Sequence, residues 1–96
     1  MKLQDDRTAE QKATHRFAVV MRDKFMSGWG GAEGGYSRAA WAVPAEVNID
    51  RVENWVRSRD EAQYVNVVDL NKYRAPRGTA HFHIYVVTPE HPAARY

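Results

Sequence analysis

Two stretches determine the fold: residues 16–22, Arg-Phe-Ala-Val-Val-Met-Arg, and residues 36–43, Tyr-Ser-Arg-Ala-Ala-Trp-Ala-Val. In each stretch every second residue belongs to one set, with Phe17, Val19 and Met21 in the first stretch and Ala39, Trp41 and Val43 in the second. Successive side chains of a strand point to opposite faces of a sheet, so this alternation predicts two half-buried strands. Five of the six glycines lie between the two stretches. Glycine permits backbone conformations that other residues disfavour, so the two strands are predicted to join through a long, glycine-dependent connection.

The chain after the second strand predicts one helix and two more strands. Pro44 ends the second strand because it cannot donate to a sheet ladder, and Asn48 is a suitable N-cap for a helix over residues 49–59. Apolar stretches at residues 64–70 and 80–88 are typical of strands. The predicted order is β-β-α-β-β, an α+β fold with a four-stranded, mostly antiparallel sheet and one helix on one face.

The predicted core joins one face of this sheet to the apolar stripe of the helix. It comprises Phe17, Val19, Met21, Trp41, Val52, Val56, Val67, Phe82, Ile84 and Val86. One helix covers one face, so the other face is predicted to be uncovered, with Arg16, Val20, Arg22, Arg38, His81, His83, Tyr85 and Val87 on it. Such a face is too apolar to be stable in water, which favours a homodimer or contact with a partner.

Composition limits the classes of protein that this chain can belong to. A length of 96 residues fits a single domain, predicted over residues 14–96, with residues 1–13 as a flexible or weakly ordered arm. The absence of cysteine excludes disulfides and thiolate chemistry and favours an intracellular location. A net charge of +2 permits contact with phosphate and disfavours imitation of DNA.

The glycine-rich connection at residues 27–36 carries Trp29 among its glycines. Its glycine spacing fits neither the dinucleotide-binding nor the phosphate-loop pattern, and Glu33 would repel phosphate. One interpretation is a purely structural connection, with Trp29 packed on the core. The other is a partner-binding loop, because long connections are more often functional. The predicted contact residues are Lys24, Ser27, Gly28, Trp29, Gly30, Glu33, Gly34 and Tyr36.

Residues 72–78 form a second candidate site, with three cationic side chains, one tyrosine and no acid. Cations bind phosphate and an aromatic ring stacks on a base, so this turn is a candidate for nucleic-acid binding. A solvated loop is the alternative. The phosphate or nucleic-acid candidates are Arg38, Lys72, Tyr73, Arg74 and Arg77.

His81 and His83 share one face of the last predicted strand, a spacing at which two imidazoles can bind one metal ion. No third ligand stands at a diagnostic distance in the sequence, so solvent-facing or interface histidines are the favoured interpretation. No serine stands in a nucleophile motif, and the carboxylates are dispersed. We therefore expect no metal, no cofactor and no enzymatic activity.

The segment Lys-Phe-Met-Ser-Gly-Trp-Gly-Gly-Ala-Glu-Gly at residues 24–34 resembles a motif of short proteins encoded by tailed bacteriophages. The likeness extends more weakly over residues 17–87, and Gly35 stands where that family carries a lysine or another polar residue. Small phage proteins of this kind often bind and disable host machinery. The resemblance thus implies an anti-CRISPR or other anti-defence inhibitor in the cytoplasm of an infected bacterium. The alternative is a nucleotide or nucleic-acid binding protein that uses Trp29, Tyr36 and the basic turn.

Overall fold

A computed structural model describes residues 2–23, 36–59, 64–75 and 79–96. Within these ranges the chain forms five strands, two α-helices and a short C-terminal 3-10 helix. The elements are β1 (Lys2–Asp5), α1 (Ala9–Thr14), β2 (Phe17–Asp23), β3 (Tyr36–Val43), α2 (Ile49–Arg57), β4 (Tyr64–Asp69), β5 (His81–Val86) and the 3-10 helix (Pro92–Arg95). The predicted α+β class is confirmed, and β2 to β5 with α2 match the predicted elements in order.

The sheet has five strands in the order β1-β5-β3-β2-β4. One side of the sheet, β3-β2-β4, is antiparallel, because β2 runs antiparallel to both β3 and β4. β5 lies parallel to β3 on one side and to β1 on the other, so the sheet is mixed. This differs from the predicted four-stranded, mostly antiparallel sheet. The reason is that β5 does not pair with β4; the connection after β4 crosses the sheet and delivers β5 beside β3.

Two crossovers therefore cover the two faces of the sheet. α2 lies between β3 and β4 in the sequence and packs against β2 and β4, and we call the side it covers the helix face. The segment at residues 70–75 follows β4, and its Leu70 and Tyr73 pack on the opposite side, the crossover face. Parallel strands need such long connections, so each crossover supplies cover for one face.

α2 forms where the sequence predicts it. Asn48 Oδ1 accepts a hydrogen bond from the Asp50 N–H at 2.9 Å, which caps the first turn. Val52 and Val56 are fully buried against the sheet, as their helical spacing predicts. Arg57 ends the helix and donates to the carbonyl oxygen of Val65 on β4 at 3.1 Å. The helix is thus joined to the sheet by its apolar stripe and by one polar contact.

The N-terminal segment, expected to be a weakly ordered arm, contains β1 and α1. Thr8 and Gln11 form a reciprocal capping box at the start of α1, with bonds of 3.1 and 2.9 Å. The Arg7 side chain is only 8% exposed; it donates to Asp5 and to the His15 carbonyl oxygen. Burial raises the pKa of Asp5, but the bonds from Arg7 outweigh this effect and leave the pKa below its usual value. Arg7 therefore connects β1 to the end of α1.

The core has two parts, one on each face of the sheet. The larger lies under α2 and comprises Val19, Met21, Ala39, Trp41, Val43, Val47, Val52, Val56, Val65, Val87 and Ala93. The smaller lies on the crossover face and comprises Ala18, Val20, Ala40, Ala42, Phe82 and Ile84, with Val68, Leu70 and Tyr73 against it. Val19, Met21, Trp41, Val52 and Val56 are buried as predicted.

The predicted assignment of β5 to the two faces is wrong. Ala40 pairs with Ile84 and Trp41 with Tyr85, so Phe82 and Ile84 are buried on the crossover face, away from α2. Val86 shares that face and is only partly buried. The cause is the crossover at residues 70–75, which supplies a second apolar layer that the sequence analysis did not anticipate.

Four other residues also depart from the predicted faces. Val20 and Val87 are fully buried, although both were predicted on an uncovered face. Phe17 and Val67 were predicted in the core, yet they are 50% and 43% exposed. α2 is only nine residues long, and it leaves this end of the helix face partly uncovered. The predicted continuous face for dimerisation is therefore divided between two sides of the sheet.

Candidate binding surfaces

Phe17 and Val67 line a groove at the end of the helix face, which we call the apolar groove. It has a volume of about 430 Å³. α1 contributes to one wall, and the turn before α2 contributes to the other. The lining residues are Ala13, Thr14, Arg16, Phe17, Val43, Pro44, Ala45, Val47, Ile49 and Val67. Apolar side chains dominate this set, so the groove is suited to an apolar side chain from a partner.

An ion pair between β2 and β4 forms one rim of the apolar groove. Arg16 Nε donates to Asp69 Oδ1 at 2.9 Å, and Arg16 Nη2 donates to Oδ2. The hydrogen bond from Arg16 is the main reason that the pKa of Asp69 falls to about 2. The Arg16 guanidinium also lies 5.4 Å from the centre of the Phe17 ring. The ion pair therefore holds the Arg16 side chain in place beside the Phe17 ring.

A row of rings crosses the other end of the helix face, and we call it the aromatic row. His83 and Tyr85 stack at 3.9 Å between ring centres, and Tyr85 stacks on Trp41 at 5.5 Å. Trp41 then meets Trp55 edge to face at 5.8 Å, and Trp55 meets His91 in the same way at 5.3 Å. The row links β5, β3, α2 and the C-terminal segment through ring contacts that favour a fixed geometry.

A bulge in β3 brings Arg38 to the aromatic row. Met21 pairs with Ala39 and Arg22 pairs with Ser37, so the register shifts and Arg38 has no partner position on β2. A bulge can redirect a side chain across the sheet. Arg38 accordingly lines a cavity of about 190 Å³ together with Trp41 and Tyr85 on the helix face. Arg59 lines the same cavity, and its guanidinium lies 4.9 Å from the centre of the Trp55 ring.

His81 and His83 share one face of β5, as predicted, but it is the helix face and not the face that the prediction left uncovered. His83 Nε2 lies 2.8 Å from Asp6 Oδ2, a contact that the sequence did not suggest. His81, His83 and Lys2 line a smaller cavity of about 160 Å³. The described part of the chain contains no group of three histidine, aspartate or glutamate side chains placed to hold a metal ion.

His91 ends the aromatic row and caps the C-terminal 3-10 helix. Its Nδ1 accepts a hydrogen bond from the Ala93 N–H at 3.0 Å, which requires that Nδ1 carry no proton. Partial burial lowers the pKa of His91 below its usual value. Ala93 is fully buried, so this cap fixes the point at which the C-terminal segment enters the core.

The basic turn after β4 lies on the crossover face, away from the aromatic row. Tyr73 packs on Phe82 with ring centres 5.9 Å apart, and the two residues line a cavity of about 400 Å³ with Arg74. Lys72 and Arg74 are exposed. Arg77 and its neighbours fall at residues 76–78, outside the described residues. The structure thus separates Arg38 from Lys72, Tyr73 and Arg74, with which the sequence analysis grouped it.

The predicted contact loop lies almost entirely outside the described residues. Lys24, Ser27, Gly28, Trp29, Gly30, Glu33 and Gly34 all fall at residues 24–35. Tyr36 opens β3 opposite Asp23. The predictions for this loop therefore remain predictions.

Sequence reasoning missed the apolar groove and the contact of Asp6 with His83, and it did not predict how Arg38 reaches the aromatic row. The apolar groove lies beside the turn before α2 and the first residue of that helix, Ile49, and no local sequence pattern indicated it. Arg38 reaches the aromatic row because of the bulge in β3. Glycines near a hairpin are only a weak sequence signal for a bulge. Asp6 was missed because it directly follows β1, a strand that was not predicted.

Comparison of the chain with protein-family models, with curated proteins and with solved structures finds no match. None of the helices in the described ranges is long and apolar enough to cross a membrane.

Proposed function

We propose that this chain is a non-enzymatic, phage-encoded protein that binds and inhibits a host defence complex. The observation that carries the proposal is the apolar groove, where Phe17 and Val67 are 50% and 43% exposed beside a cavity of about 430 Å³. Large apolar side chains left in water forgo about 25 cal/mol for each Å² that a partner could cover. A polypeptide partner is the occupant that fits this lining.

The arrangement of the groove resembles the anatomy of protein interfaces. Such interfaces combine exposed aromatic side chains with polar side chains at the rim; here Phe17 lines the groove, and the Arg16–Asp69 pair lies beside it. Because these two charges already neutralise each other, the groove selects by shape and apolar contact rather than by charge. The choice of a defence complex as target is supported by the resemblance of residues 24–34 to phage proteins.

A plating assay tests this function. Bacteria with one active CRISPR or other defence system, and expressing this protein, are infected with a phage that the system targets. We expect expression to restore plaque formation for at least one system. The Phe17→Asp variant should abolish that restoration, because a carboxylate in the groove opposes burial of the partner's apolar side chain.

Leu3→Asp is the matched control, since Leu3 is also exposed (53%) but lies on the crossover face. It should protect the phage as the unchanged protein does. Both variants are first checked for thermal midpoints near that of the unchanged protein. Protection in no system of a broad panel contradicts the inhibitor function, and full protection by Phe17→Asp contradicts the role of the apolar groove.

A further inference from the structure

We propose that the helix face of β1, β5 and β3 binds single-stranded nucleic acid. Bases would stack at Tyr85 and His83, and phosphates would lie at Lys2, Arg38 and Arg59. This site is at the opposite end of the helix face from the apolar groove. It is independent of the inhibitor function proposed above, which uses Phe17.

The first support is the exposure of rings on a rigid sheet. α2 packs over β2 and β4, and Tyr85 on β5 is 38% exposed. The side chain of His83 is 27% exposed and stacks on Tyr85 at 3.9 Å. Trp41, the cross-strand neighbour of Tyr85, stacks on its ring at 5.5 Å and is itself 6% exposed. The rings are thus already in place before a base arrives, and stacking on such rings tolerates any base.

The second support is charge. Arg38 and Arg59 line the cavity on one side of the His83–Tyr85 stack, and Lys2 lines the cavity on the other. Neither cavity has a carboxylate among its described lining residues. Asp6 reaches this surface, but its carboxylate is hydrogen-bonded to His83. Cations on both sides of exposed rings are the arrangement that single-stranded nucleic acid requires.

The spacing of the cations favours a polynucleotide over a single nucleotide. Lys2 lies on β1 and Arg38 lies on β3, with β5 between them. The backbones of β1 and β3 are two interstrand spacings, or about 10 Å, apart, a span that neighbouring phosphates of one polynucleotide strand can cover. The two cavities, of about 160 and 190 Å³, are also open at the surface and small. A strand laid across β1, β5 and β3 would place successive phosphates over both.

Fluorescence anisotropy with labelled dT10 and rU10 tests the proposal, with a 10-base-pair duplex for comparison. We expect at least one of the two single strands to bind at 50 mM salt. Binding should weaken about 20-fold at 200 mM salt, the result for three phosphate contacts on a single strand. The comparison of dT10 with rU10 shows which polynucleotide is preferred.

Arg38→Glu and Arg51→Glu form a matched pair of variants. Both make the same change in charge at an exposed arginine, but Arg51 lies on α2 outside the proposed site. Arg38→Glu should weaken binding about 10-fold and reduce the salt dependence, whereas Arg51→Glu should change affinity less than twofold. Tyr85→Leu keeps an apolar side chain on Trp41 and should weaken binding about 10-fold through lost stacking.

A measurement on the unchanged protein covers the case in which Tyr85→Leu fails to fold. Addition of dT10 or rU10 should shift the ring NMR signals of Tyr85 and His83. Absence of binding to both oligonucleotides at 50 mM salt overturns the proposal. Equal losses in Arg38→Glu and Arg51→Glu also overturn it, as does a larger loss in Arg74→Glu, which would assign binding to the basic turn. The plating assay scores the inhibitor function separately, since Arg38→Glu leaves the apolar groove intact.

Discussion

Arg16 and Asp69 are joined by two hydrogen bonds across β2 and β4, and this pair lowers the pKa of Asp69 to about 2. Asp69 also accepts from the Asn71 N–H at 3.0 Å, which begins the crossover after β4. One carboxylate thus holds the rim of the apolar groove and the start of the segment that covers the other face. Its ionisation should therefore contribute to stability, by a modest amount because the Arg16 side chain of the pair is exposed to solvent.

The first prediction is that Asp69 stabilises the fold above about pH 4 and loses this effect between about pH 4 and pH 2. The pKa is lower in the folded chain than the value near 3.9 of an unfolded one, so protonation at low pH favours unfolding. The thermal midpoint of Asp69→Asn should lie below that of the unchanged protein at pH 6, and the gap should close towards pH 2. Glu90→Gln, at an exposed carboxylate, is the control. A gap that is constant with pH would contradict the role of the ion pair.

The second prediction tests which side chains form the core, since Val20 and Val87 are fully buried and Phe17 is half-exposed. Val20→Ala and Val87→Ala each remove two methyl groups from fully buried positions on opposite faces. Each should cost about 2 kcal/mol, or a fall in thermal midpoint of about 10 °C. Phe17→Ala, at a half-exposed position, should cost clearly less despite its larger change in volume. A greater loss of stability in Phe17→Ala than in the two valine variants would show that Phe17 belongs to the core, as the sequence predicted.

Local patterns were sufficient to predict β2, β3, α2, β4 and β5. Alternation around Trp41 and the Asn48 cap are signals that act over a few residues, and the structure follows both. The pairing of the strands was not predictable in the same way. Nothing near His81 indicates that β5 passes β4 and β2 to reach β3, because that choice depends on how residues 70–75 cover the sheet.

The same distinction applies to the candidate sites. His83, Tyr85 and Arg38 were predicted together on the face that the helix leaves uncovered, and the structure brings all three to the helix face instead. The sequence could not show that Trp41 would lie beside them, since that contact depends on the parallel register of β3 and β5. The capping box of Thr8 and Gln11 was a local signal for α1 that was present and overlooked.

The third prediction concerns Trp29, which lies outside the described residues. If the glycine-rich loop is a partner-binding loop, Trp29→Ala should leave the thermal midpoint within a few degrees, equivalent to about 1 kcal/mol, and abolish protection in the plating assay. Phe17→Asp should give the same phenotype if both contact one partner. Unfolding of Trp29→Ala would instead show that Trp29 belongs to the core, and would remove the loop from the proposed interface.

The last prediction concerns His91 and the C-terminal segment. The imidazole is neutral in the folded chain because Nδ1 accepts from Ala93, and burial lowers its pKa. A lowered pKa in the folded state means that stability is complete above the unfolded value near 6.5 and is lost as the pH falls below it. The thermal midpoint should therefore decrease between pH 7 and pH 5. His91→Asn keeps an oxygen that can cap the Ala93 N–H but cannot titrate in this range, so its midpoint should change less over the same interval. His81→Asn, at an exposed histidine, should decrease in parallel with the unchanged protein. If His91→Asn also decreases in parallel, the pH dependence arises elsewhere and the cap is not its cause.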